Sequence, residues 1–167
     1  MTSVVDPETG RNRDVDGAMD GAMDAARPVD EVDVLIVGSG FSGLGLAARL
    51  DRGGIRSYRI LEAADDLGGT WRDNTYPGCG CDIPSPLYSF SFDQKADWSR
   101  LFAGQPEILA YLRDVAHRRG LGEHIRFGQR VDRARWNEDE ARWEVTTEDG
   151  SLHRARFLVS AVGPLHH

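Results

Sequence analysis

The chain has 167 residues, the length of one ordinary domain, and 40% of them are hydrophobic, enough for a core. Its 27 acidic and 20 basic residues leave a net charge of −7, which argues against nucleic acid as a partner. There is no run of about 18 apolar residues to predict a membrane helix, and the N-terminus lacks the apolar core of a signal peptide. Two cysteines in such a chain point to reduced thiols in a cytoplasmic setting.

Residues 1–30 hold seven acids against three arginines, repeat Gly-Ala-Met-Asp at 17–20 and 21–24, and contain no aromatic residue. This composition predicts a disordered acidic tail. A helix near Ala18–Ala26 would be marginal alone. Residues 31–167 are expected to form the folded part.

Val34-Leu35-Ile36-Val37 reads as a buried parallel strand, and it runs into Gly38-Ser39-Gly40-Phe41-Ser42-Gly43, a G-x-G-x-x-G turn. A helical pattern follows through Leu44, Leu46, Ala47 and Leu50, and Gly53-Gly54 ends it. A second strand, Arg56 to Leu61, leads to Glu62, 19 residues past the third glycine. This is a βαβ unit built for a dinucleotide. Gly38 permits the tight turn, Gly40 lets a pyrophosphate approach the backbone, and Gly43 lets the helix pack closely. The helix N-terminus offers N–H groups to phosphate, and Glu62 is placed to accept hydrogen bonds from ribose hydroxyls.

A second glycine pair precedes Thr70 and Trp71 in Leu67-Gly68-Gly69-Thr70-Trp71, which implies a second close backbone approach to a ligand or a loop anchored by a buried Trp. Residues 74–92 (NTYPGCGCDIPSPLYSFSF) contain too much Pro and Gly for a regular element. The segment is nevertheless apolar at Tyr76, Ile83, Leu87, Tyr88, Phe90 and Phe92, so it must pack against something, and a planar cofactor is a candidate. Cys79-x-Cys81 lacks common redox and zinc spacings and reads as structural. Asp82 is either an acid in an apolar, ligand-facing loop, with a perturbed pKa, or a turn-capping residue.

Residues 93–104 read as a surface loop anchored by Trp98 and Phe102. Gln105 to Arg119 predicts a helix, with Pro106 in its first turn, an apolar stripe at Ile108, Leu109, Leu112, Val115 and Ala116, and Gly120 as its cap. His117 on it is expected at the surface. Ile125–Phe127 is a short strand candidate, and Arg130–Trp136 and Arg142–Thr147 alternate as a hairpin. After the turn at Glu148-Asp149-Gly150, Arg154–Val162 is apolar enough to return to a buried sheet. The terminal His166-His167 is too little for a metal site.

Taken together, GSGFSG, Glu62, GGTW, YPGCGCDIPS and LYSFSF resemble flavin-dependent monooxygenases of the Baeyer–Villiger and 4-hydroxyacetophenone monooxygenase-like type. FAGQPEILAYLRDVA and ARFLVSAVGPLH extend the resemblance over residues 32–166. It implies an α/β fold, a Rossmann-like FAD-binding domain whose parallel sheet carries a β-meander at 130–148. It further implies that Gly38, Gly40, Ser42 and Gly43 hold the FAD pyrophosphate and Glu62 the adenosine ribose. Gly69, Thr70 and Trp71 match a second flavin-binding loop, Tyr88 and Val131 further FAD contacts, and Asp82 an acid near the isoalloxazine ring, at the edge of the nicotinamide site.

The reaction so implied is reduction of FAD by NADPH, then insertion of one oxygen atom from O2 into a ketone, or oxidation of a heteroatom, through a C4a-peroxyflavin. A small-molecule substrate and O2 are the implied partners, with no nucleic acid and no membrane. The second G-x-G-x-x-G and the Baeyer–Villiger fingerprint are absent from these 167 residues. The chain is therefore expected to be an N-terminal fragment, inactive alone, for which a complementing C-terminal half would supply the rest. Two other readings stay open on the residues: an NAD(P)-dependent oxidoreductase of another class, and a non-catalytic dinucleotide-binding module.

Overall fold

A computed structural model describes residues 29–164. The acidic tail up to Pro28, its repeat, the helix considered near Ala18–Ala26 and the terminal His166-His167 lie outside them. The elements are β1 (Asp30–Val37), α1 (Phe41–Arg52), β2 (Tyr58–Leu61), α2 (Thr70–Asp73), α3 (Gln105–Arg118), a 3-10 turn (Leu121–His124), β3 (Ile125–Arg126), β4 (Val131–Asn137), β5 (Arg142–Thr147) and β6 (Leu152–Ser160).

They form one six-stranded sheet in the order β3-β2-β1-β6-β5-β4. β1 runs parallel to β2 and to β6, with Ile36 opposite both Ile60 and Val159, and β2 runs parallel to β3. β4 and β5 extend the sheet antiparallel from β6, which is the expected meander. The fold is thus a mixed α/β, Rossmann-like arrangement. β1 begins at Asp30, one residue inside the stretch read as tail, because Asp30 holds Arg59 of β2 in an ion pair at 2.8 Å.

One face of the sheet carries the main core. Val34, Ile36, Tyr58, Ile60 and Ile125 pack with Leu44, Ala47 and Ala48 of α1 and with Ile108, Leu112 and Val115 of α3. The 3.6-residue spacing of those positions in each helix explains why both helices lie flat on the strands. A smaller cluster of Val32, Leu35, Leu61, Val145 and Ala155 fills the other face.

Two sequence expectations change here. β6 is not buried throughout: Phe157 is 59% exposed, since β5 pairs only with Leu152–Ala155 and leaves the rest of β6 without a neighbour on that side among the described residues. Phe102 is also exposed, and its neighbour Ala103 is the fully buried residue. Ala103 takes that place because its N–H donates to Ser85 Oγ at 3.0 Å and its carbonyl accepts from Cys81 N–H at 3.0 Å. Trp98 does anchor its loop, 5.4 Å from the ring of Tyr111.

Candidate functional site

A cleft of about 290 Å3 opens where β1, β2 and β6 end. That is where open α/β sheets place their ligands, beyond the carboxyl ends of the strands. Its floor is the turn from Val37 to Ser42 with Leu61 and Glu62. One wall is Gly68 to Arg72 with Tyr88, and the others are Gln129–Val131 and Ala161–Pro164. Of the residues singled out in the sequence, Gly38, Gly40, Ser42, Glu62, Gly69, Thr70, Trp71, Tyr88 and Val131 line this one cleft. Gly43 and Asp82 do not.

The three glycines of the turn differ in what surrounds them. Gly38 has φ +104, and a Cβ there would lie 2.7 Å from the Ala161 carbonyl oxygen. Gly43 sits beneath the turn: a Cβ on it would lie 1.9 Å from the Gly38 carbonyl oxygen, so α1 can start against the strand only because this side chain is missing. Gly40 is the open one: a Cβ added there would have a single near neighbour, the Gly69 Cα, 3.8 Å away. The close backbone approach that Gly40 allows is therefore available to a ligand. The first N–H groups of α1 point out of the same turn without intrahelical partners.

Glu62 is 5% exposed at the cleft floor and is held from all sides. Its Oε2 accepts from Ser39 N–H at 2.9 Å and Ser39 Oγ at 2.6 Å, and its Oε1 accepts from Ala64 N–H and from Arg72 Nη1, both at 3.0 Å. Burial pushes its carboxyl up, but the hydrogen bonds from Ser39, Ala64 and Arg72 outweigh this and hold it below the usual range. Four donors occupy about the full capacity of a carboxylate. A ribose hydroxyl would take the place of one of them, and Ser39 Oγ, on a rotatable hydroxyl, can turn away.

The second loop is built on Gly68 and Gly69, both at positive φ, and Gly68 N–H donates to the Ser39 carbonyl at 3.1 Å, which joins the two loops. Trp71 follows, buried, with its Nε1–H donating to Tyr88 Oη at 3.0 Å and its carbonyl accepting from the Gln105 amide. Tyr88 packs edge-on against Phe41, 4.9 Å between centroids. The irregular segment divides accordingly. Tyr88, Phe90 and Phe92 pack on the main core, with Phe90 N–H bound to Tyr111 Oη at 2.8 Å, while Tyr76, Ile83 and Leu87 are exposed.

Asp82 is exposed and lies in a separate depression with Cys79, Cys81, Arg100 and Phe102. The apolar surroundings expected for it are not formed by the described residues, because Ile83 beside it also faces outward. Both cysteines are free thiols, half-buried against the core. Ser39 and Arg72 are site residues that the motif alone does not single out. Ser39 lies inside the glycine turn, and Arg72 directly follows Gly69-Thr70-Trp71.

Residues 36–104 match the family described as an NAD(P)-binding Rossmann-like domain. A Baeyer–Villiger monooxygenase of Streptomyces coelicolor is 52% identical over 136 residues, covering 81% of this chain and 26% of that protein. A FAD-binding monooxygenase of Aspergillus niger is 42% identical over 144 residues, covering 80% and 24%. The solved structure of an oxidized steroid monooxygenase bound to NADP superposes with a TM-score of 0.78 at 46% identity, covering 81% of this chain and 27% of that one. The chain spans about a quarter of the length of these relatives.

Proposed function

We propose that this chain, which belongs with the flavin-dependent monooxygenases of the Baeyer–Villiger type over the quarter of its relatives' length that it spans, forms the FAD-binding part of such an enzyme. The observation that carries the reading is convergence: the glycine turn, Glu62 and the Gly68–Trp71 loop line one cleft at the strand ends. The cleft is at the lower end of small-molecule sites, about 300–1,000 Å3, so these residues surround part of a dinucleotide.

In this reading Gly38, Gly40, Ser42 and Gly43 shape the pyrophosphate seat, with the N-terminus of α1 facing the phosphates. Glu62 receives the adenosine ribose, and Val131 lies on the wall toward the adenine. Gly69, Thr70, Trp71 and Tyr88 form the opposite wall. FAD, reduced by NADPH, supplies the reaction with O2 that places one oxygen atom in a ketone or on a heteroatom. The chain's own residues hold and orient that group. Asp82 is assigned to the reactive end of the flavin, at a surface that further polypeptide would cover.

A complementing C-terminal half, a small ketone or heteroatom substrate and a cytoplasmic setting complete the proposal, with neither nucleic acid nor membrane as partner. Supporting the last two points, the net charge is −7, and no helix among the described residues is long and apolar enough to cross a membrane. NAD would be served by the same glycine turn. FAD is favoured because Trp71 and Tyr88 add an aromatic wall that the turn alone does not need. Titration of the purified chain with FAD against NAD+ tests the choice, and NADPH-dependent oxygen uptake by the complemented enzyme tests the reaction.

A further inference from the structure

Arg72 occupies an unusual place for an arginine. It is mostly buried, with 17% of its side chain exposed, and it lines the cleft beside a carboxylate that is 7% exposed. Its guanidinium is shared among four acceptor oxygens on three residues. Nη1 donates to Glu62 Oε1 at 3.0 Å and also to the Asp66 carbonyl, while Nε and Nη2 take both oxygens of Asp73, at 2.6 and 3.0 Å.

Its position is set by the second glycine pair. A Cβ on Gly68 would lie 3.3 Å from the Arg72 Cβ and 3.5 Å from its backbone nitrogen, so the tight loop at 68–69 is what brings Arg72 back over Glu62. Arg72 supplies the only cation among the four donors to Glu62; the other three are two backbone N–H groups and a hydroxyl. The fork to Asp73 and the Asp66 carbonyl would hold the guanidinium in place even after Glu62 turned one lone pair toward a ligand.

We infer that Arg72 is a positioning residue for the dinucleotide: it fixes the Glu62 carboxylate, ionised and immobile, at the cleft floor, and acts on the ligand through Glu62. This rests on the proposed use of the cleft. The mechanism is electrostatic. A cation at hydrogen-bond distance favours the charged carboxylate by about one to three pKa units. Without it, burial is opposed only by the neutral donors Ser39 and Ala64, and the Glu62 carboxyl is held down less firmly than in the unmutated chain. A protonated Glu62 has lost acceptor capacity for ribose hydroxyls.

The test is titration of the 167-residue chain with FAD between pH 5 and 8, for the unmutated protein, Arg72→Gln, Arg72→Lys, Glu62→Gln and the Glu62→Gln/Arg72→Gln pair, with circular dichroism to verify folding. We expect near-constant affinity across this range for the unmutated chain. Arg72→Gln should bind FAD progressively more weakly as pH falls from 7 to 5, by at most about tenfold per pH unit, the limit of single-proton linkage. Arg72→Lys, which keeps the charge but not the fork, should restore the flat profile. On the Glu62→Gln background, Arg72→Gln should add less than about twofold, because two residues acting through one contact are not additive.

A flat profile for Arg72→Gln, a loss in Arg72→Lys as large as in Arg72→Gln, or full additivity with Glu62→Gln would overturn the inference while FAD binding by the unmutated chain stood. No FAD binding by the unmutated chain would instead remove the proposed function, and this role of Arg72 with it.

Discussion

Gly40 and Gly69 oppose each other backbone to backbone across the cleft: a Cβ on Gly69 would meet the Gly40 Cα at 3.4 Å, and one on Gly40 would meet the Gly69 Cα at 3.8 Å. The two glycine loops thus approach closely while leaving space above for a ligand. Gly40 has φ −78, which any residue adopts, so the space and not the backbone is what requires glycine there. Gly40→Val should therefore fold, with a stability change under about 1 kcal/mol, and should not bind FAD. Thermal unfolding and a fluorescence titration measure the two effects, and unchanged FAD affinity would take the glycine turn out of the site.

Gly43 should behave in the opposite way. Its missing side chain is needed for packing, since a Cβ would lie 1.9 Å from the Gly38 carbonyl oxygen. Gly43→Ala should cost about 1–3 kcal/mol or more, as overpacked sites do, because α1 must lift from β1. Urea unfolding reads this directly. A midpoint equal to that of the unmutated chain would mean that the turn is looser than described.

Glu62 ties stability to pH. Its folded-state pKa is lowered from an ordinary value of 4.5. A depressed carboxyl contributes stability that is fully present above the unfolded pKa and is lost as pH falls through the folded one. Glu62→Gln should thus be less stable than the unmutated chain by about 2 kcal/mol at pH 7, the scale of a hydrogen-bonded charge. The gap should close as pH falls below 4.5. A gap independent of pH would show that the carboxylate charge is not what the contacts hold.

Asp82 separates binding from turnover. It is exposed and does not line the cleft, so Asp82→Ala should leave the fold and the FAD affinity of this chain unchanged. In the complemented enzyme the same change should slow flavin reduction or oxygenation. Stopped-flow measurement distinguishes the two, and a fall in FAD affinity alone would end the catalytic assignment of Asp82.

The sheet and the dinucleotide turn were legible because their signals are local. Val34–Val37, the three glycines and Glu62 fall within one βαβ unit, and periodicity places the strand, turn and helix directly. The spacing could show that Glu62 reaches the cleft, but not that Ser39 and Arg72 already hold it, since those contacts depend on how the Gly68–Gly69 loop folds back. The same reason hid the joining of Ala161–Pro164, Gln129 and Arg130 to the site, as they arrive beside β6 and β4, far along the chain, and Val131 was placed there only by the resemblance. In the irregular segment, hydrophobicity alone could not separate Tyr88 and Phe90, which find Trp71 and Tyr111, from Leu87, which is 77% exposed.

The most direct measurement is a calorimetric titration of the purified 167-residue chain with FAD, repeated in the presence of excess NAD+. We expect saturable but weak FAD binding, as suits a cleft of about 290 Å3, that Gly40→Val removes and NAD+ does not displace. Binding of NAD+ in preference to FAD, or no FAD binding at all, would contradict the assignment of this cleft to a flavin.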